Sequence, residues 1–525
     1  MNRRDFLSLS AFSMSGLLGS KMAFANDILV APSLTIVDNP PYNGDLRQAL
    51  QETTPGSVLV LGKSKPYDLT GYFVSPTHTD GEPVTNTIEN LTIIGMGMPR
   101  LADDKSHFIP GSGTIILGLI MNKAKGFHIE NLGIDCGNYV SQNVFPNVTY
   151  EDCLHIYEAG DNSNIFVNNI KTLNSLGVSS KPGTHSILIE RTGDVYKGYV
   201  ECIGGFHGLT LKGWNITGGW SHCYAQYGDG FILKSDSGTK CMDIHLDGIK
   251  VGLIDNTGWP DISMGGIYDP HDGQTIDRVT IGELAIQGAA WGLVAASSSD
   301  GYTTNINIGI FSAIEVYGNY YALEINDKCV GWSLGQHAIS AASGGIRVNK
   351  NAAYIDIGHG YSKNNTRSGY SLGGNTLSHG RLLTNENGEY GVEYTGGYGF
   401  NKDEVIAYVN GLGSFNDLPS AIQGNTINGW AKDKNFKAIV CGHRVFISGR
   451  LRKGTASPAF SIPAALLPKE DVPVHGVGVN LGVNAIPVQA WVRSSNSPTN
   501  PGMFDVWGFA STDSYVDFNS SYDIA

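Results

Sequence analysis

The chain has 525 residues, a formal net charge of −13 and a pI of about 5.5, and it contains no block of Lys and Arg. This charge argues against a nucleic-acid partner, because binding the phosphate backbone needs clustered basic residues. Glycine is frequent at 68 residues while only 16% of residues are charged. That composition favours many short strands joined by tight turns, and therefore an all-β fold.

The N-terminus, residues 1–25, has the pattern of an export signal. Arg3 and Arg4 precede an apolar stretch from Leu7 to Leu18, and Ala23-Phe24-Ala25 has the form of a cleavage site. The twin-arginine form predicts export to the periplasm or the cell exterior; the alternative is a short segment that docks the protein onto a larger particle. No other apolar stretch reaches the ~20 residues that a membrane span requires.

Residues 26–120 predict a cap and the first coils of a repeat. The apolar residues of Asp45–Gln51 have the spacing of a short amphipathic helix, and Val58–Leu61 then has the pattern of a strand. A helix at this point would cover the open end of a stack of strands, which otherwise exposes unpaired backbone groups. Leu91–Gly95 and Thr114–Leu117 continue the strand pattern.

Residues 121–410 repeat a short segment of alternating apolar residues, and the repeat predicts a right-handed parallel β-helix. One such coil cannot bury its inward side chains alone, whereas stacked coils share an apolar column and align their polar residues outside. The intervals range from 21 to 36 residues, and the longest ones, between residues 129 and 165 and between 209 and 279, predict loops around a functional site. The aligned positions are Ile129, Ile165, Leu188, Leu209, Ile244, Val279, Ile306, Trp332, Ile355 and Leu377.

The seven cysteines are scattered and contain no C-x-x-C pair, so neither a disulfide framework nor a zinc site is indicated. Cys202, Cys223 and Cys241 are spaced by about one coil. We expect them to stack as small buried residues at equivalent corners.

The coil pattern ends in residues 411–429, a predicted linker rich in Gly, Asn, Ser and Pro. Residues 430–525 then contain strand candidates separated by turn residues, including Arg444–Leu451 and Pro487–Val492. This pattern predicts a small β-sandwich.

The opening at residues 45–69, the coils, and an ending that includes Val445–Arg450 and Val516–Tyr522 resemble bacteriophage tailspikes and capsule depolymerases of the pectate-lyase-like superfamily. The resemblance implies an enzyme that cleaves a bacterial surface polysaccharide, a location on the phage tail, and a homotrimer that covers exposed faces of the rod. It implies no cofactor. A virion protein does not need an export signal, so a cellular, exported enzyme remains the alternative.

The densest set of ionisable residues contains the candidate catalytic residues. The segment Gly228–Asp236 partly resembles the Gly-Asp-Asp…Lys-Ser strand of polygalacturonase-like hydrolases, although Gly230 replaces the second Asp. A glycosidase needs two carboxylates about 5–9.5 Å apart, so Asp229 and Asp236 are the predicted acid and base. Their predicted helpers are Glu201, His207 and Lys234. The alternative is that both aspartates cap turns beside glycine.

Elimination is the runner-up reaction. A lyase needs a base and a neutraliser for the substrate carboxylate, and the segment Tyr268–Gly273, with Arg278 nearby, offers both. The alternative is a solvated turn, because Asp-Pro and Asp-Gly are turn dipeptides. No calcium loop is present in the sequence, and no metal is predicted.

Aromatic residues are concentrated between positions 214 and 291, and aromatic rings pack well against the apolar faces of sugars. Individually, such residues are more often part of a core. The remaining alternative is a carbohydrate-binding spike without catalysis. The predicted substrate-binding residues are Trp214, Trp220, Tyr227, Trp259, Tyr268, Asp269 and His271.

Overall fold

Parallel strands from successive coils form most of the molecule. In a computed structural model, 28 strands between Leu34 and Phe415 pair in parallel, and eight more form a second, antiparallel sheet. The described residues are 33–74, 84–103, 107–136, 152–174, 184–235, 241–252, 264–270, 274–295, 301–316, 318, 321–374, 376–395, 405–407, 413–415, 431–432, 437–441, 444–452, 459–461, 467–480, 486–499, 501, 503–507 and 514–523. The predicted all-β fold with a parallel β-helix is therefore confirmed.

Each complete coil crosses three sheets in turn. We call sheet 1 the one that contains Ile244, sheet 2 the one that contains Val251, and sheet 3 the one that contains Ile267. Several strands bend at a corner and run through two sheets. The strands as far as the middle of the rod are β1 (Leu34–Ile36), β2 (Val58–Val60), β3 (Tyr67–Asp68), β4 (Thr92–Ile94), β5 (Ile115–Leu117), β6 (Ile120–Asn122), β7 (His128–Asp135), β8 (Leu154–Gly160), β9 (Ile165–Asn174), β10 (His185–Lys197), β11 (Val200–Gly204), β12 (His207–Tyr224), β13 (Phe231–Ser235) and β14 (Cys241–Gly252).

The same three-sheet pattern continues to Phe415, inside the segment predicted to be a linker. The remaining coil strands are β15 (Met264–Pro270), β16 (Thr275–Gln287), β17 (Trp291–Ala295), β18 (Tyr302–Ile314), β19 (Tyr321–Ile325), β20 (Cys329–Ser340), β21 (Gly344–Val348), β22 (Ala353–Lys363), β23 (Tyr370–Leu372), β24 (Leu377–His379), β25 (Leu382–Asn385), β26 (Tyr390–Tyr394), β27 (Val405–Ala407) and β28 (Gly413–Phe415).

The apolar column of sheet 1 follows the predicted periodicity over its second half. Ile244, Val279, Ile306, Trp332, Ile355 and Leu377 are consecutive register partners, and each is at most 4% exposed. Their neighbours on the outer side are polar: His245, Thr280, Asn307, Ser333 and Asp356. Alternation along each strand thus separates a shared core from a polar surface.

The first half of the predicted alignment is wrong because it mixes sheets. Ile129 pairs with Val167, two residues beyond the predicted Ile165. Leu188 and Leu209 lie in sheet 3 and are offset from each other by one residue, since Ile187 is the partner of Leu209. The long strands β10 and β12 pass through a corner, and both of their halves show the same alternation. The apolar periodicity alone therefore cannot show which half of β10 or β12 belongs to which sheet.

Left-handed residues mark the start of sheet 1 in successive coils. Asp243, Arg278, Asn305, Gly331 and Tyr354 all have φ between 53° and 70°. Asp, Asn and Gly adopt this conformation at the least cost, which explains why such residues recur at coil corners.

Two of the three cysteines stack as predicted. Cys202 and Cys223 are register partners in sheet 2, whereas Cys241 pairs with Ile276 at the start of sheet 1. All three are fully buried, and burial raises the pKa of each of the Cys202 and Cys241 thiols, that of Cys241 to about 12. These thiols therefore fill space in the core.

The predicted cap helix is present as α1 (Leu46–Glu52). Asp45 is its N-cap, and its side chain accepts a hydrogen bond from the Gln48 backbone amide at 3.0 Å. The buried side of α1, with Leu46 and Leu50, belongs to the same core as Leu59 of the first coils. In the described part of the chain, no helix is long and apolar enough to cross a membrane.

The C-terminal region contains eight strands that pair antiparallel. The long strand β31 lies between β30 and β36, and β33 lies between β36 and β34. These strands are β29 (Ala431–Lys432), β30 (Lys437–Cys441), β31 (Arg444–Arg452), β32 (Phe460–Ser461), β33 (Val472–Asn480), β34 (Ile486–Val492), β35 (Met503–Trp507) and β36 (Ser514–Asp523).

Candidate functional site

Four ionisable residues from four successive coils form a line where the chain enters sheet 3; we call Asp152, His185, His207 and Asp229 the histidine row. The Asp152 carboxylate accepts a hydrogen bond from the His185 backbone amide at 2.7 Å and lies 3.0 Å from His185 Nδ1. The imidazoles of His185 and His207 stack with their centroids 5.2 Å apart. His207 Nδ1 lies 3.4 Å from Asp229 Oδ2. Parallel register therefore brings residues far apart in sequence into contact.

A second line of charge lies further along the same strands. Glu190 and Lys212 are register partners, and their Oε1 and Nζ atoms are 3.6 Å apart. His155 joins the two lines, because its Nδ1 lies 3.3 Å from Asp152 and its Nε2 lies 3.6 Å from Glu190. One coil beyond Lys212, Lys234 pairs with Asp269 at 3.6 Å. Sheet 3 thus carries one continuous polar network.

The Asp152–His185 pair holds a neutral imidazole against a carboxylate. Burial lowers the pKa of His185, and the attraction of Asp152 offsets only part of that effect. Burial acts to raise the pKa of Asp152, but the His185 and His155 rings more than compensate, so the pKa lies below its usual value. At neutral pH the ring of His185 is therefore uncharged, and we assign its proton to Nδ1, which faces Asp152.

His207 has the opposite proton arrangement. The backbone amide of Asp229 donates a hydrogen bond to His207 Nδ1 at 3.3 Å, so a neutral His207 carries its proton on Nε2. The row therefore places a basic nitrogen and a proton donor on two stacked rings. General acid–base catalysis needs this combination of groups.

Glu190 is held in its ionised form. Burial acts to raise the pKa of Glu190, but the nearby His155 ring and the charge of Lys212 lower it to about 2. The carboxylate can therefore stabilise positive charge at any physiological pH.

We expect Glu190→Gln to lower the free energy of unfolding by about 3 kcal/mol at pH 7. The pKa is 4.5 without the fold and about 2 within it. The stabilisation by the ionised Glu190 carboxylate is therefore complete above pH 4.5 and is lost as the pH falls through 2. Chemical unfolding of both chains across this range checks the difference. The control Glu89→Gln changes an exposed residue, and its effect on the free energy of unfolding should not depend on pH. If Glu190→Gln had an equally small effect, Glu190 would not be held in its ionised form by the fold.

The predicted catalytic residues separate onto two sheets. Asp229, His207 and Lys234 lie on sheet 3, as described above. Glu201 lies on sheet 2, where its carboxylate pairs with Lys171 Nζ at 3.0 Å. It is not part of the histidine row, and its role as a helper of Asp229 stays a prediction. Asp236 lies outside the described residues.

The predicted aromatic residues are also dispersed. Trp214 lies at the corner between sheets 3 and 1 and donates a hydrogen bond to Asp161 at 2.8 Å, whereas Trp220 lies on sheet 2. The Tyr227 ring is 5.7 Å from Phe206, next to His207. Trp259 and His271 lie outside the described residues.

Tyr268 is a wrong prediction, because its side chain is fully buried inside the rod. Alternation along β15 points Tyr268 inward and leaves its neighbour Asp269 outside, paired with Lys234. Arg278, the proposed neutraliser of a lyase, is bound to Asp243 and Asp277 at the start of sheet 1. Tyr268 therefore cannot reach a substrate as the base of the predicted lyase loop.

Sequence reasoning missed Asp152, His155, His185, Glu190 and Lys212. The signal that could have found the histidine row is its spacing, because intervals of 33, 22 and 22 residues match coil lengths. Three strands of sheet 3, β8, β10 and β15, each follow a long connection in the sequence. These connections are residues 136–153, 175–184 and 253–263. No group of three or more His, Cys, Asp or Glu suited to a metal ion occurs in the described part of the chain.

The solved structures that are similar to the chain include two tailspike proteins. The Dettilon tailspike protein gp208 aligns over 94% of this chain and 95% of its own, with 11% identity and a TM-score of 0.34. Tailspike protein gp49 from Acinetobacter baumannii bacteriophage Fri1, a capsular polysaccharide depolymerase, aligns over 78% of this chain and 79% of its own, with 10% identity and a TM-score of 0.20. No family model matches the chain, and no curated protein matches it.

Proposed function

We propose that the protein is a polysaccharide depolymerase that hydrolyses glycosidic bonds of a bacterial capsular or surface polysaccharide on sheet 3. The resemblance of the sequence to tailspikes and capsule depolymerases supplies the substrate class. It also supports a homotrimer on the phage tail as the assembled state.

The histidine row is the single observation that supports catalysis. In this row, two imidazoles stack on each other and each lies beside an aspartate. Such an arrangement suits the transfer of a proton to one oxygen and the removal of a proton from another. The side chains of His207 and Asp229 are 15% and 14% exposed, so a bound polymer can reach them.

Asp229 remains the proposed acid. Its carboxyl oxygen Oδ2 lies 3.4 Å from His207 Nδ1, at the end of the row from which a proton would be delivered to the leaving oxygen. Glu190 is the ionised carboxylate of the same sheet and suits stabilisation of the positive charge that develops on the sugar ring. Asp236, which follows β13 in the sequence, stays a predicted second carboxylate.

Elimination is the second candidate, and one observation favours it. The neutral His185 imidazole is a base, and Lys212 provides a cation that can neutralise a uronate carboxylate. These are the groups that a lyase acting on a uronate polymer requires.

The experiment that tests the proposal is a screen of the purified chain against capsular, surface and uronate polysaccharides. Hydrolysis adds the mass of one water to the products, whereas elimination produces an unsaturated sugar that absorbs ultraviolet light. We expect shortened polymer with the added mass of water. Tight binding to a polymer without shortening would instead identify a carbohydrate-binding spike.

A further inference from the structure

Sheet 2 carries a separate cluster of ring and ionisable side chains. It consists of Tyr199, Trp220, His222, Tyr224 and Glu201, all partly exposed, and we call it the sheet 2 cluster. Glu201 and His222 are register partners on β11 and β12, and the other three flank them. None of the proposed catalytic steps uses this cluster.

The indole of Trp220 lies flat on the neighbouring coil. A Cβ atom placed on Gly248 would be 2.6, 2.7 and 2.7 Å from the ring atoms Cζ3, Cε3 and Cη2. Nearly equal distances to three consecutive ring atoms place that position over the face of the ring, not at its edge. One face of the indole therefore covers Gly248, while the residue as a whole remains partly exposed.

His222 lies between two tyrosine hydroxyl groups. Its Nδ1 is 3.2 Å from the Tyr199 oxygen and 3.0 Å from the Tyr224 oxygen. Burial lowers the pKa of His222 and raises the pKa of each tyrosine to about 12, so all three groups are neutral at pH 7. A ring nitrogen has only one lone pair or one proton, and it can satisfy only one of the two hydroxyl groups fully. The other hydroxyl retains capacity for a ligand.

Charged groups lie beside these rings. Glu201 and Lys171 form an ion pair at 3.0 Å, and Lys250 follows His222 in register on the next coil. The cluster thus combines a flat aromatic face, hydroxyl groups, a carboxylate and ammonium groups within neighbouring coils.

We infer that the sheet 2 cluster is a second saccharide-binding site, separate from the catalytic row of sheet 3. A pyranose ring presents an apolar face that can stack on Trp220, and its hydroxyl groups can bond to Tyr199, Tyr224 and Glu201. The saccharide class rests on the proposed function. His207 follows Glu201 by six positions in the chain, and an extended chain spans about 3.5 Å per position, so their Cα atoms lie within about 21 Å. The site would hold the polymer that sheet 3 cleaves.

The test is the affinity of the full chain for immobilised capsular, surface and uronate polysaccharides. We expect Trp220→Ala to weaken binding to the recognised polymer at least about tenfold. The double variant Tyr199→Phe/Tyr224→Phe keeps every ring and is expected to weaken it about fivefold, as the loss of a hydrogen bond implies. If Trp220→Ala fails to fold, this double variant alone tests whether the sheet 2 cluster binds the polymer. Tyr196→Ala is the matched control, because Tyr196 is 45% exposed and stacks on Phe166 in sheet 1.

The inference is overturned if no polymer binds, or if the sheet 2 variants bind as tightly as the control. Its failure can be distinguished from failure of the proposed function. Cleavage of polymer with unchanged binding by the sheet 2 variants refutes only the second site, whereas binding that depends on Trp220 without any cleavage refutes only the depolymerase.

Discussion

Replacing Asp229 by asparagine is expected to slow polymer cleavage at least about a hundredfold while the β-helix stays folded. The amide has nearly the shape of the carboxyl group but cannot deliver a proton to the leaving oxygen. The backbone amide of residue 229 can still donate to His207 Nδ1, so the local structure should persist. The release of reducing ends measures the rate, and thermal unfolding followed by circular dichroism measures the fold.

The matched control is Asp243→Asn, which removes the same charge from the start of sheet 1. Asp243 pairs with Arg278 on the rod surface, away from the histidine row. We expect this variant to cleave at the normal rate. Full activity of the Asp229 variant would reject sheet 3 as the catalytic surface.

Replacing Lys197 by methionine is expected to lower the free energy of unfolding by about 3 kcal/mol at pH 7. The Lys197 side chain is fully buried inside the rod. Its ammonium group donates to the carbonyl oxygens of Gly198, Gly219 and Trp220 at 2.8–3.2 Å and to the Ser221 hydroxyl at 2.7 Å. Methionine fills the same space but removes the donor that Lys197 provides to these four acceptors. Denaturant unfolding measures the change.

The effect of this substitution should grow in alkali. Burial lowers the pKa of Lys197 from 10.5 to about 8. Between these values the unfolded chain binds more protons than the folded one, so the wild type gains stability relative to the variant as the pH rises from 8 to 10.5. The exposed Lys125→Met, whose ammonium bonds to one carbonyl oxygen, is the control and should show neither change. If the difference in unfolding free energy between the wild type and Lys197→Met did not change with pH, Lys197 would not be a buried ammonium group with a lowered pKa.

The sequence predicted the fold better than the site because the two depend on different information. The column from Ile244 to Leu377 was predictable, since inward residues repeat in every coil whatever the loops between them do. The cap helix was predictable from local spacing alone. The mistaken Leu188 and Leu209 alignment arose where a strand bends through a corner and continues its alternation in the next sheet.

The site depends on which residues of neighbouring coils are register partners, and this register cannot be read from the sequence alone. Asp229 and His207 were predicted because they lie in a dense polar segment, and in the structure their side chains lie 3.4 Å apart. Glu201 lies in the same segment, but the corner after β11 places it on another sheet. Asp152 and His185 were missed because they lie 33 residues apart in the sequence and outside the segment that contains Asp229, so only the register of the strands brings them together.

The construction of the histidine row from single residues of successive coils has a consequence for how such a rod can diverge. Removing the stretch between one register position and its partner, for example from Ile187 to Leu209, would delete a whole turn of the rod and rejoin equivalent backbone positions. The scaffold could close over the deletion, while the line of side chains would lose one member and acquire a new neighbour. Gain and loss of entire turns therefore offers these molecules a route to new specificities that leaves their architecture unchanged.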